Sequence, residues 1–178
     1  MDNVSRAYMG GGCFWCTEAV FSRLKGVFSV QPGYMGGKTV NPTYEQICTG
    51  LTNHAEVVEV TFDANIISYK QLLEVFFATH DPLSLNRQGA DVGTQYRSVL
   101  YYLDENQKET ALQTIDYLNE NYYKPNTIVT EISPMVPFYK AEVSHKEYYD
   151  RNPYHSYCQY VIAPKIIKLN SYFEGIVK

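Results

Sequence analysis

The stretch Ser5-Arg6-Ala7-Tyr8-Met9-Gly10-Gly11-Gly12-Cys13-Phe14-Trp15-Cys16-Thr17-Glu18 decides how the rest of the chain is read. Ser5–Met9 reads as a short strand, and from Cys13 to Leu24 the pattern is helical, with Cys13, Cys16, Val20 and Leu24 near one face. A thiol therefore stands where a glycine-rich turn runs into a helix. Glycines reach backbone angles closed to other residues, and the free N–H groups of a helix's first turn favour thiolate over thiol. Cys13 is the candidate nucleophile on this ground, although a free cysteine elsewhere is usually a small buried hydrophobe.

Outward from this unit, Val27–Val30 is strand-like and Gln31-Pro32-Gly33-Tyr34-Met35-Gly36-Gly37-Lys38 is a breaker-rich loop. Asn41-Pro42-Thr43-Tyr44 starts a short helix, and Glu56–Phe62 has the two-residue period of a strand with Glu56 at its beginning. Ser68–His80 is a capped amphipathic helix stopped by Asp81-Pro82, Tyr96–Leu103 a strand, Asp104–Tyr122 a mostly solvated helix and Thr127–Ile132 a further strand. Ser144–Arg151 is expected as a short helix. Beyond Pro153 the chain is expected to run irregularly to a short helix near Lys165–Phe173, a C-terminal coil laid over the domain. This order of elements suits an α/β (α+β) fold, a mixed sheet with helices packed on it as a second layer. No repeat, low-complexity tract or linker divides residues 1–178, so one domain is expected.

The net charge is -4, and no Lys/Arg-rich run is present, which argues against nucleic acid or an anionic membrane surface as partner. Residues 1–10 lack the pattern of a signal peptide and no stretch approaches the length of a membrane span, so the cytosol is the expected location. Four cysteines, Cys13, Cys16, Cys48 and Cys158, are too few and too uneven for a secreted disulfide scaffold. In a reducing compartment Cys-x-x-Cys points instead to redox or metal chemistry.

Six motifs in order, Gly-Cys-Phe-Trp-Cys at 12–16, Gly33-Tyr34 with Gly36-Gly37, Asn41-Pro42-Thr43-Tyr44, His54-Ala55-Glu56, His80-Asp81-Pro82 and Gly93-Thr94-Gln95-Tyr96-Arg97, closely resemble the A-type peptide-methionine sulfoxide reductases. His145 and Asn152-Pro153 upstream of Cys158 continue the series. The resemblance implies a ferredoxin-like α/β domain with a long C-terminal coil. It also implies reduction of the S-epimer of methionine sulfoxide, free or in proteins, without metal or organic cofactor and with thioredoxin as electron source.

The matched residues make chemical sense. A sulfoxide is a poor electrophile until its oxygen is protonated, so an acid must stand beside the thiol. Glu56 matches the family's acid, and burial should raise its pKa; Tyr44 and Tyr96 match phenols that hold the same oxygen, and Asp91 a residue supporting the pocket's polar side. Phe14 and Trp15 match an apolar wall for the substrate methyl group. Attack by Cys13 leaves a sulfenic acid, which Cys158 or Cys16 can close to a disulfide. Cys158 is favoured, because a coil can bring its sulfur to the right face while Cys13 and Cys16 share a regular helix. Cys48 is expected to be structural. Asn53 departs from the glycine more often found before His-Ala-Glu, and no further C-terminal cysteine follows Cys158.

Other classes stay open on the residues alone. A thioredoxin-like dithiol oxidoreductase shares the Cys-x-x-Cys but leaves Glu56 and the tyrosines without a task. A zinc module needs a second ligand pair, and a non-catalytic reader of oxidised methionine would be indifferent to the Cys13 thiol. His145 fits either a network near the site or the surface, and His155 the surface.

Overall fold

The computed structural model describes residues 3–178. The chain runs through β1 (Val4–Gly11), α1 (Phe14–Phe21), β2 (Val27–Met35), α2 (Tyr44–Cys48), β3 (Ala55–Asp63) and α3 (Tyr69–Ala78). A ribbon of β4 (Arg87–Gln88) and β5 (Asp91–Val92) precedes β6 (Ser98–Tyr102) and α4 (Glu105–Leu118). The remainder contributes β7 (Glu131–Pro134), β8 (Tyr139–Lys140), α5 (Tyr148–Arg151) and α6 (Ala163–Tyr172).

One sheet takes the order β7-β6-β1-β3-β2-β8. Its inner strands β6, β1, β3 and β2 are antiparallel, and with α1 and α3 as connections they form the ferredoxin-like βαββαβ arrangement. β7 is added parallel to β6 at one edge and β8 antiparallel to β2 at the other. Strand alternation then divides the side chains. Val58, Val60 and Phe62 of β3 join Ala7 and Met9 of β1 in the main core under the helices, while Val57 and Ala55 face the other side, beneath Met135, Val136 and Phe138. Glu56 is in phase with Val58, so its carboxyl points to the helical layer.

Four expectations are corrected. The loop expected at 31–38 is strand as far as Met35. Pro32 is tolerated there because its carbonyl accepts from Ala141 N–H at 2.9 Å, so its missing N–H faces the sparsely paired β8 side rather than β3. The strand expected at 127–132 pairs only from Glu131, since Ile128 and Val129 spend their N–H groups on the Asn119 side chain and the Pro82 carbonyl. The helix expected at 144–151 is broken at Glu147, whose φ of 54° is left-handed and whose N–H donates to the buried Glu18 carboxyl at 2.9 Å. The expected long C-terminal coil is mostly helix. A wide turn at Cys158–Ile162 leads directly into α6. Pro164 stands in the first turn of that helix, where a missing N–H costs nothing. Ile162, Ile166, Leu169 and Phe173 recur at helical spacing and pack inward.

α3 starts on a capping box in which Ser68 Oγ accepts from Gln71 N–H at 3.1 Å and the Gln71 side chain accepts from Ser68 N–H at 2.9 Å. Ser68→Ala is expected to lower stability by about 1 kcal/mol in urea titration without altering activity.

Candidate active site

Cys13 is the N-cap residue of α1, with φ -57° and ψ 127°, so it lies just outside the helix. Of the three glycines, only Gly12 turns the chain, with φ +96°, and a Cβ there would meet Gln88 Cγ at 2.6 Å. Gly10 and Gly11 belong to β1 and serve close approach instead. A Cβ on Gly10 would stand 2.8 Å from the Glu56 carbonyl oxygen, and one on Gly11 would press on the rings of His80 and Phe76. His80 is neutral under its burial, its pKa pushed down to about 3, and its Nε2 is 2.7 Å from Ser98 Oγ.

Glu56 is 1% exposed and accepts from Phe14 N–H at 3.2 Å, which ties β3 to the first turn of α1. Burial pushes its pKa up to about 8, opposed by that N–H and supported by Asp91 and Cys16. At neutral pH the carboxyl therefore holds a proton, as expected for an acid. Burial and then the Glu56 charge raise the pKa of both Tyr44 and Tyr96. Asn53 has φ 59°, a left-handed angle that asparagine accepts in place of glycine. The loop before Glu56 keeps its shape because His54 Nδ1 accepts from Gly37 N–H at 2.9 Å and its Nε2 donates to Thr39 O at 2.7 Å.

Cys13, Cys16 and Cys158 share one buried cluster, whereas Cys48 is exposed. At Cys13 the pull of the helix terminus toward thiolate meets an opposing effect. Burial raises its pKa well above the ordinary thiol value, followed by its hydrogen bond with Cys16 and the Glu56 charge; Trp15 N–H opposes them and is outweighed. Cys16 is drawn down to about 7, chiefly by its neighbour Cys13 and then by Lys165, against its own burial. Cys158 is fully buried, and burial followed by Cys16 raises its pKa.

Phe14 is fully buried, and Trp15 stacks on Tyr148 at 3.7 Å with the rings 7° apart. Trp15 Nε1 donates to His145 Nδ1 at 3.0 Å, so His145 is a neutral network residue with its proton on Nε2, toward Glu142 at 4.0 Å. Glu142 also accepts from Tyr34 hydroxyl at 3.1 Å and from Tyr44 N–H at 3.0 Å. Glu142, Tyr148 and Tyr157 had no distinguishing signal in the chain, because their roles arise from residues about a hundred positions away. His155 is exposed, as expected.

A cleft of about 560 Å³ reaches Cys13 and Cys16 between the β4–β5 ribbon and α6, with Asp91, Tyr157 and Lys165 on its walls. A larger groove, about 930 Å³, lies between α3, α4 and α6 and contains none of the candidate residues, so chemistry and not size marks the site. Among the described residues, no group of three or more His, Cys, Asp or Glu side chains is placed to hold a metal, and no helix is long and apolar enough to cross a membrane.

A ferredoxin-like sheet that sets a buried cysteine at the head of α1 and a buried carboxyl near the start of β3, joined through the Phe14 N–H, defines the class of thiol-dependent oxidoreductases. The family model described as peptide methionine sulfoxide reductase matches residues 5–175, and the chain belongs to that family. A peptide methionine sulfoxide reductase MsrA of Acinetobacter baumannii is 54% identical over 175 residues, 98% of this chain and 99% of that protein. Among solved structures, methionine sulfoxide reductase A of Corynebacterium diphtheriae superposes with a TM-score of 0.82 at 35% identity, over 87% of this chain and 78% of that one. Reduced Mxr1 from Saccharomyces cerevisiae gives 0.81 at 32%, over 88% and 90%, and Mxr1 has also been solved in complex with Trx2.

Glu56 also makes stability depend on pH. The unfolded chain ionises it near 4.5 and the folded one near 8, so between these values the folded state holds the extra proton and its stability falls as pH rises. Relative to Glu56→Gln, the wild type is expected to lose on the order of a few kcal/mol between pH 5 and pH 8 in denaturant titrations.

Proposed function

We propose that this chain reduces the S-epimer of methionine sulfoxide, free or within proteins, to methionine, with Cys13 as nucleophile and Glu56 as proton donor. The observation that carries this reading is the Glu56 carboxyl, buried beside the Cys13 turn and bonded to Phe14 N–H, with its pKa pushed up to about 8. Cys13 gives up its proton and attacks the sulfoxide, whose oxygen is protonated by Glu56 and held by Tyr44 and Tyr96. Methionine leaves, the oxygen passes to the Cys13 sulfur as a sulfenic acid, and the thiol's proton restores Glu56. Phe14 and Trp15 take the methyl group. In this reading methyl and oxygen meet different surroundings, so the opposite epimer would turn its oxygen to apolar rings.

For the resolving thiol, the geometry supports Cys16 over Cys158. Cys13 stands outside the helix at the N-cap, which removes the objection that both thiols share a regular helix, and Cys16 lies one turn on, its N–H donating to the Cys13 carbonyl at 3.0 Å in the same buried cluster. Cys158 heads a helical turn instead of a mobile coil. Closure of Cys13 onto Cys16 releases water, so one sulfoxide and two thiols become methionine, a disulfide and water. Thioredoxin then returns the two electrons.

Single-turnover assays with separate epimers test the reading. The reduced protein is expected to yield methionine from the S-epimer alone, and Cys13→Ser none; turnover of the R-epimer, or activity in that variant, would refute it. Glu56→Gln is expected to slow the reductive step by about 100-fold and to remove the loss of rate above about pH 8.

A further inference from the structure

Tyr157, the residue before Cys158, joins two members of the site. Its hydroxyl donates to Asp91 Oδ2 at 2.7 Å and lies 3.6 Å from Cys16 Sγ, while its ring stands edge-on to Trp15 with centroids 5.9 Å apart. A phenol has one proton, and here Asp91 receives it. The phenol oxygen is left to accept from the Cys16 S–H. Thiol, phenol and carboxylate thus form a directed chain that ends in the cleft Asp91 shares with Cys13.

We propose that Tyr157 is a catalytic residue of disulfide formation, conducting the Cys16 proton to Asp91; this rests on the reading that Cys16 resolves the sulfenic acid. As Cys16 attacks, its sulfur electron pair forms the S–S bond and the Cys13 S–O bond breaks, its electrons leaving on oxygen. The Cys16 proton moves to the Tyr157 oxygen while the Tyr157 proton moves to Asp91. Asp91 passes that proton to the departing hydroxide, and water leaves with every group restored. Lys165, on the same cleft, adds positive charge that favours the Cys16 anion as it forms. Cys13 meets the sulfoxide without using this chain, which separates the two halves of the reaction.

The test is a quenched single turnover on S-methionine sulfoxide that follows methionine release and disulfide formation separately, with dimedone to trap sulfenic acid. Tyr157→Phe keeps the ring and removes the proton path. It is expected to slow disulfide formation at least about ten-fold more than methionine formation, with trapped sulfenic acid accumulating. Asp91→Asn, a second variant with a small change of shape, is expected to shift the ratio of the two rates in the same direction. If neither variant changes that ratio, Tyr157 does not carry the proton. Cys16→Ser run alongside separates the two ideas: a disulfide formed at the wild-type rate in that variant refutes the resolving role and the relay together. A block in Cys16→Ser with an unchanged ratio in Tyr157→Phe refutes the relay alone.

Discussion

The hydrogen bond from Phe14 N–H to the buried Glu56 carboxyl is the contact on which the site depends. It joins the first turn of α1 to the second residue of β3. Its formation requires β1 and β3 to meet with no side chain at Gly10, where a Cβ would press on the Glu56 carbonyl. Once the carboxyl is enclosed, desolvation keeps it protonated. The same enclosure raises the Cys13 thiol, so acid and nucleophile are both neutral until substrate arrives. Two neutral groups avoid the mutual repulsion of a carboxylate beside a thiolate in a medium of low dielectric.

The C-terminal segment supplies the rest of the enclosure by polar clasps. Glu18 takes the N–H of Glu147 and stands 3.7 Å from Lys146 Nζ, whose ammonium also reaches the Val30 carbonyl. Glu142 ties Tyr34 and Tyr44 together and faces His145, which in turn orients Trp15. Except for the local Glu142–His145 contact, each clasp links parts of the chain about a hundred residues or more apart. A catalytic wall built this way is held by directional bonds as well as by packing, which suits a site that must distinguish methyl from oxygen.

The strand, turn and helix around Cys13 were legible because glycine punctuation and hydrophobic period act locally, and so were α3 with its capping box and the start of β3 at Glu56. Elements that depend on distant partners were not. Pro32 reads as a loop residue until its edge position is known, β7 begins where Asn119 and Pro82 release the backbone, and α6 is longer than its breaker suggests because Pro164 falls in its first turn. The family motifs named Cys13, Glu56, Tyr44, Tyr96, Asp91, Phe14 and Trp15, all of which meet in one region. The clasp residues Glu142, Tyr148 and Tyr157 had no such marker.

The sequence by itself determined the chemistry available to this protein: a cysteine at a glycine turn, a carboxyl at the head of a strand, and phenols and aromatic rings in an order that resembles one family of reductases. Those are properties of residue type and spacing, and they survive without coordinates. Only the tertiary structure decided what surrounds each thiol. A helix N-terminus alone favours a Cys13 thiolate, yet burial outweighs it, while Cys16 is drawn down against its own burial by the Cys13 thiol and by Lys165; each effect depends on what the distant C-terminal helix and the sheet place around each sulfur.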